Sequence, residues 1–170
     1  GAEFDNRAEW FREAVNLIHR VTTESFPHID TKHYGKLKGM LNLVPSPRAG
    51  RIPTLIVGRA QQDIDWLAAN SDGWIWHRGS FNQLPEIVNT WHQNRPDEYF
   101  RPYGYGTFFD LSEDANEPVR QNWGGIRAGR NALIAMWKKH ESAGVNHVAL
   151  NLKTLQRPAE EVLQELAEYV

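Results

Sequence analysis

The chain contains no cysteine. That excludes disulfides, thiolate metal sites and cysteine nucleophiles, and it fits a cytoplasmic protein. No apolar run approaches the roughly 20 residues of a membrane span, and the first residues, Gly1 to Trp10, are charged rather than signal-like. The expectation is a soluble, unexported protein with no membrane partner. Blocks of like charge are missing too. Lys and Arg number 19 against 21 Asp and Glu, a formal net charge of -2, so nucleic acid and anionic membrane are poor default partners. His28, His33, His92 and His140 have no metal-ligand spacing. Gly-x-Gly-x-x-Gly, Walker and Gly-x-Ser-x-Gly patterns are absent, and no obvious nucleophile stands out. There is no initiator Met, and Gly1-Ala2-Glu3-Phe4 runs almost at once into a helical pattern, which fits a chain that is part of something longer.

What is present is 170 residues, by length a single domain able to bury roughly 70% of its unfolded surface. From Asp5 to about Ser25 the apolar residues Ala8, Phe11, Val15, Ile18 and Val21 recur every three or four positions. This predicts an amphipathic helix with Asp5 as its N-cap. Residues 26–53 carry Pro27, Pro45, Pro47 and Pro53 with several glycines, an excursion over the surface with a short strand near Met40 to Val44.

The pattern then becomes regular. Strands are expected at Thr54 to Val57, Gly73 to Trp76, Tyr99 to Leu111 and His147 to Leu152. Helices are expected at Gln61 to Asn70, Phe81 to Asn94, Arg130 to Ser142 and Ala159 to Val170, with a polar helix and loop at Asp114 to Gly125. Strands alternating with helices indicate βα units and a parallel sheet. Four such units over 54–170 are half of an eight-stranded α/β barrel.

The junction "VGRAQQ" raises the functional question. Gly58 can take a φ that other residues avoid. A helix starting after it would aim the amides of residues about 60 to 63 out of the carboxyl end of the strand, where ligands of α/β proteins collect and anions are attracted. Arg59 could add a charge-assisted contact, and Gln61 and Gln62 further donors. A plain tight turn with Arg59 in solvent explains the same residues, since one Gly-Arg carries little specificity.

The wider stretch "VGRAQQDIDWLAANSDGWIWH" resembles the bacterial luciferase-like flavin oxidoreductases, in which a strand ends in small residues, a helix begins on the flavin phosphate and a "DGW" run leads into the next strand. In the same order, "FDNRAEWFREAVNLI" looks like the helix before that family's fifth strand. "VPSPRAGRIPTLIVG" looks like its proline-rich lead-in, and "AGVNHVALNLKTLQRPAEEVLQELAEYV" like its eighth strand and last helix. The similarity covers nearly the whole chain and is closest to the luciferase-type oxidoreductase subgroup. It implies an α/β fold of parallel βα units forming the carboxyl-terminal half of a TIM (β/α)8 barrel. It implies FMN, or alternatively a deazaflavin coenzyme, and a small organic substrate oxidised through it. Carried over by position, Val57, Gly58, Arg59, Ala60, Gln61 and Gln62 would lie at the flavin phosphate, and His77 near the isoalloxazine. Where the family often has serines or threonines at the helix start, this chain has Ala60 to Asp63, and Asp63 would repel a phosphate unless turned away.

Other constellations compete. "GGIRAGRNALIAMW", from Gly124, is glycine-rich, carries Arg127 and Arg130, and leads into a helix. Pairing of these arginines with Glu residues is the plainer reading, with Arg130 left as a contact for an anionic substrate. "YGYGTFFD" sets aromatics against glycines, for a cofactor cleft or for sheet packing. His147, at a strand's amino end, reads as structural, and no partner can be named for His19.

The resemblance begins at the helix before strand five, so the first four strands of such a barrel have no counterpart. A half-barrel leaves open edges and an uncovered inner face. Its expected partner is the missing N-terminal half or a second copy of the chain, and the fragment alone is expected to be inactive. The alternative is a non-catalytic half-barrel that binds a phosphate ligand or only a partner chain.

Overall fold

The computed structural model describes residues 4–76, 81–122 and 125–169. A short 3-10 turn at Phe4–Asn6 leads into helix α1 (Arg7–Thr23). Its N-cap is Asn6, not Asp5, which lies inside the preceding turn. The excursion folds into an antiparallel hairpin, β1 (His28–Asp30) with β2 (Lys36–Lys38). No strand forms at Met40 to Val44, where Met40, Leu41 and Val44 are exposed. Pairing partners 6 to 10 residues apart, rather than local strand propensity, decided where the ladder formed.

The remainder is mixed α/β around a mostly parallel six-stranded sheet. Strand β3 (Leu55–Val57) is followed by α2 (Ile64–Asn70), β4 (Gly73–Ile75) and α3 (Leu84–Gln93). Next come β5 (Tyr103–Leu111), a hairpin of β6 (Arg120–Asn122) and β7 (Gly125–Ala128), α4 (Arg130–Ser142), β8 (His147–Asn151) and α5 (Ala159–Ala167). Strands β3, β4, β5 and β8 are parallel neighbours in chain order, while β7 pairs with the far end of β5 and carries β6 antiparallel on its edge. The segment read as a polar helix is therefore a turn and a β-hairpin.

Side-chain alternation divides the sheet. One face presents Ile56, Trp74, Tyr103, Tyr105, Phe109 and Leu111 to the helices, and all are buried. Around Trp74, Trp91 and Tyr103 pack Leu67, Leu84 and Val88 from α2 and α3. A second cluster joins Phe109 and Leu111 to Leu133 of α4 and Val162 and Leu166 of α5. The tyrosines of "YGYG" thus belong to the core. The other face is uncovered: Leu55 is 51% exposed, Val57 75% and Phe108 38%. Parallel sheets are ordinarily covered on both faces.

Asp72 locks the first βαβ unit. Its carboxylate accepts from the Thr54 amide at 2.7 Å and pairs with Arg51 at 2.6 Å. Burial alone would raise its pKa, but the Thr54 amide and Arg51 outweigh that and hold it below the usual range. His19 finds its partner at the same place, its Nε2 lying 3.1 Å from the Thr54 hydroxyl.

Candidate functional site

The carboxyl ends of β3 and β4 meet at the Gly58 turn. The Gly58 amide donates to Ile75 O at 2.8 Å and its carbonyl accepts from Trp74 Nε1 at 2.7 Å. Gly58 has φ +80°, and Ala60 and Gln61 also take left-handed values, +45° and +61°. A non-glycine residue there costs about 1–3 kcal/mol, a cost met by the bonds on either side of the turn. The Gln62 amide closes it by donating to Arg59 O at 2.7 Å.

These left-handed residues change the expected geometry. Helix α2 starts at Ile64 with Asp63 as N-cap, so residues 60 to 63 are a loop and not its first turn. The amides of Arg59, Ala60 and Gln61 have no acceptor among the described residues. Successive free amides in a tight turn form an anion-binding concavity without needing a helix.

The turn borders a cleft of about 600 Å³ lined by Val57, Gly58, Arg59, Ala60, Gln61, Trp76 and Arg7, among others. The Arg59 guanidinium donates through Nε to Gln62 O at 3.1 Å and lies 5.7 Å from the Trp76 ring centre. The Arg7 guanidinium lies 3.7 Å from the Phe4 ring centre. Neither arginine pairs with a carboxylate among the described residues. Asp63 is exposed and does not line the cleft, which removes the anticipated repulsion.

Of the residues expected at a phosphate, the structure brings Val57, Gly58, Arg59, Ala60 and Gln61 together. Gln62 is a correction. It is 1% exposed and points into the core, its amide held by Arg12, Ala8 O and Ala60 O. With both amide hydrogens donated inside the protein, the buried Gln62 side chain has no donor left for a phosphate. His77 lies outside the described residues, as does Gly124. Arg7 was missed by sequence reasoning, because no local pattern links it to a turn some fifty residues later.

The second glycine-arginine junction is closed. At the start of α4 the amides of Gly129 and Asn131 donate to Glu117 O and Ala115 O, at 2.8 and 2.9 Å. Arg127 pairs with Asp110 and Glu117. Arg130 reaches Glu165 at 3.2 Å and lies over the Tyr169 ring, although its Nε is buried without an acceptor. The plainer reading of these arginines holds.

Tyr105 and His140 form a buried pair, hydroxyl to Nδ1 at 2.9 Å, on the helix side of the sheet. Burial raises the Tyr105 phenol well above its ordinary range and lowers His140. His147 is exposed at the amino end of β8. Among the described residues no group of His, Asp and Glu could hold a metal ion, and no helix is long and apolar enough to cross a membrane. Compared with models of known protein families and with curated protein sequences, the chain matches none.

Proposed function

We propose that the chain supplies the phosphate-binding part of an FMN site in a flavin-dependent oxidoreductase of the luciferase-like type, built as the carboxyl-terminal half of a TIM barrel. One observation carries this: among the described residues, three amides without an acceptor and two arginines without a carboxylate partner belong to the residues that line one cleft at the carboxyl ends of parallel strands. The donor set suits a phosphate in charge and number. Val57, Ile75 and Trp76 supply apolar wall beside it, as the rest of a flavin requires.

The bound flavin would supply the hydride or oxygen chemistry that oxidises a small organic substrate. The chain's own residues bind and orient. Arg59 gives a charge-assisted, forked contact, the amides of residues 59–61 neutralise the remaining phosphate oxygens, and Trp76 keeps water from the cleft wall. A deazaflavin coenzyme is the other cofactor of this reading.

The uncovered sheet face supports a partner. A compact monomer of 19.6 kDa exposes about 8,600 Å². This chain exposes 11101 Å², an excess larger than the roughly 800 Å² that a standard interface takes from each partner. The occupant is an N-terminal half or a second copy. Light scattering that finds only a 19.6 kDa particle at high concentration, with nothing added, removes self-pairing.

A second reading rests on the cleft lining, which carries no carboxylate or histidine among the described residues: a non-catalytic half-barrel that binds a phosphate ligand or only a partner chain. Quenching of flavin fluorescence on titration separates flavin binding from phosphate binding. Arg59→Ala is expected to weaken FMN about tenfold, the loss of roughly one charge-assisted bond. Unchanged affinity would take Arg59 out of the site.

A further inference from the structure

We propose that helix α1 is part of the anion site: Arg7 is the second guanidinium that takes the phosphate, and Gln62 is the positioning residue that holds α1 against the Gly58 turn. The ligand of this inference rests on the flavin reading above; its geometry rests on residues outside the expected motif.

Gln62 is an amide carried into the core at the foot of a strained turn. Its Oε1 accepts from Arg12 Nε at 2.5 Å, and its Nε2 donates to Ala8 O at 3.0 Å and to Ala60 O at 2.9 Å. Ala8 and Arg12 lie one turn apart on α1, while Ala60 is one of the left-handed residues of the loop. A single side chain therefore ties helix to turn. Each lost bond would strand a buried polar atom, so the tether fixes direction as well as distance. Arg12 is steadied further, its guanidinium 5.3 Å from the Trp66 ring centre.

Arg7 is the residue before Ala8, so the tether carries it to the cleft that Arg59 also lines. Elsewhere Arg20, Arg101, Arg127 and Arg130 each find a carboxylate. Among the described residues Arg7 and Arg59 do not, so both are left to meet an anion in the cleft that they line. Two cations and free amides favour a terminal phosphate monoester, which is close to a dianion at neutral pH because its second pKa is about 6, over the singly charged diester of a deazaflavin coenzyme. The ligand class is thus a phosphomonoester, FMN in the flavin reading.

The test titrates FMN, riboflavin and inorganic phosphate into the chain, reading flavin fluorescence and the amide resonances of residues 58–62. FMN and phosphate are expected to shift those amides, and riboflavin, without a phosphate, to bind at least tenfold more weakly. Arg7→Ala should lower FMN affinity about tenfold and Arg7→Lys by less, since lysine keeps the charge but loses the fork. Riboflavin affinity should not move in either. Unchanged FMN affinity in Arg7→Ala overturns the part given to α1. Gln62→Ala should weaken FMN and spare riboflavin, whereas equal loss for both would make Gln62 a fold residue only and overturn its positioning role. If Gln62→Ala does not fold, Gln62→Glu, which keeps the acceptor for Arg12 and loses both donors, carries the same comparison. Phosphate shifts in the parent chain that vanish in Arg7→Ala, with no FMN binding, would remove the flavin reading and keep the composite site. No shift with any ligand overturns both.

Discussion

Two junctions in this chain have the same local sequence and opposite fates. Gly58-Arg59 follows β3 and Gly129-Arg130 follows β7, each at the carboxyl end of a parallel strand and each before a helix. At Gly129 the preceding loop folds back, so that the carbonyls of Glu117 and Ala115 take the free amides and Glu165 takes the arginine. At Gly58 the chain instead turns through left-handed residues, Gln62 is drawn into the core, and among the described residues the amides meet no acceptor and the arginine no carboxylate. A glycine-arginine dipeptide is therefore only an option on an anion site. What the neighbouring loop offers as internal acceptor decides whether a ligand is needed.

The largest effect expected from breaking this comparison comes from the glycines. A methyl group at Gly129 would meet the backbone of Asp114 and Ala115, whereas at Gly58 nothing lies within 4 Å. Gly129→Ala should therefore cost about 3 kcal/mol by overpacking a backbone that cannot yield. Gly58→Ala should cost about 1 kcal/mol, the penalty of a left-handed backbone alone. Urea unfolding of the two variants checks the order, and equal losses would mean that the Gly129 loop can move aside.

A smaller, reciprocal effect is expected from the arginines. Arg130→Ala should lower stability by about 1 kcal/mol, through its contacts with Glu165 and Tyr169, and leave FMN affinity untouched. Arg59→Ala should do the reverse, weakening FMN while the melting temperature stays within a degree or two. Calorimetric melting beside flavin titration reads both. If Arg130→Ala weakens FMN as much as Arg59→Ala does, the phosphate belongs to the other junction.

These contrasts mark what sequence could and could not convey. The four parallel strands and their helices were legible because apolar periodicity is a local signal, and α4 begins and ends where that period does, at Arg130 and Ser142. The β6–β7 hairpin was not legible, since its strands are held by pairing with each other and with β5. The start of α2 was misplaced by three residues because Ala60 and Gln61 adopt a conformation that their side chains disfavour. The open sheet face followed from counting strands, and five of the seven residues expected at the cofactor line one cleft. Gln62 lies in the core and Arg7 lines the cleft because a tertiary contact between α1 and the turn, invisible in either segment alone, ties the two together.

The smallest effect separates the junctions by pH. The Glu117 carboxylate is held below its ordinary 4.5, first by the Ser112 hydroxyl and then, against the cost of burial, by Arg127. A carboxylate whose folded pKa is depressed adds stability above its unfolded value, and that stability is lost as pH falls through the lower folded value. Glu117→Gln should therefore be less stable than the parent near pH 7 and converge on it below about pH 4, as urea midpoints taken from pH 7 to 3 would record. Among the described residues no carboxylate or histidine lines the cleft at the Gly58 turn. FMN affinity should instead fall as the ligand's own phosphate gains a proton near pH 6, with the same midpoint in parent and Glu117→Gln. A midpoint that moved with Glu117 would tie the two junctions together and end the distinction between them.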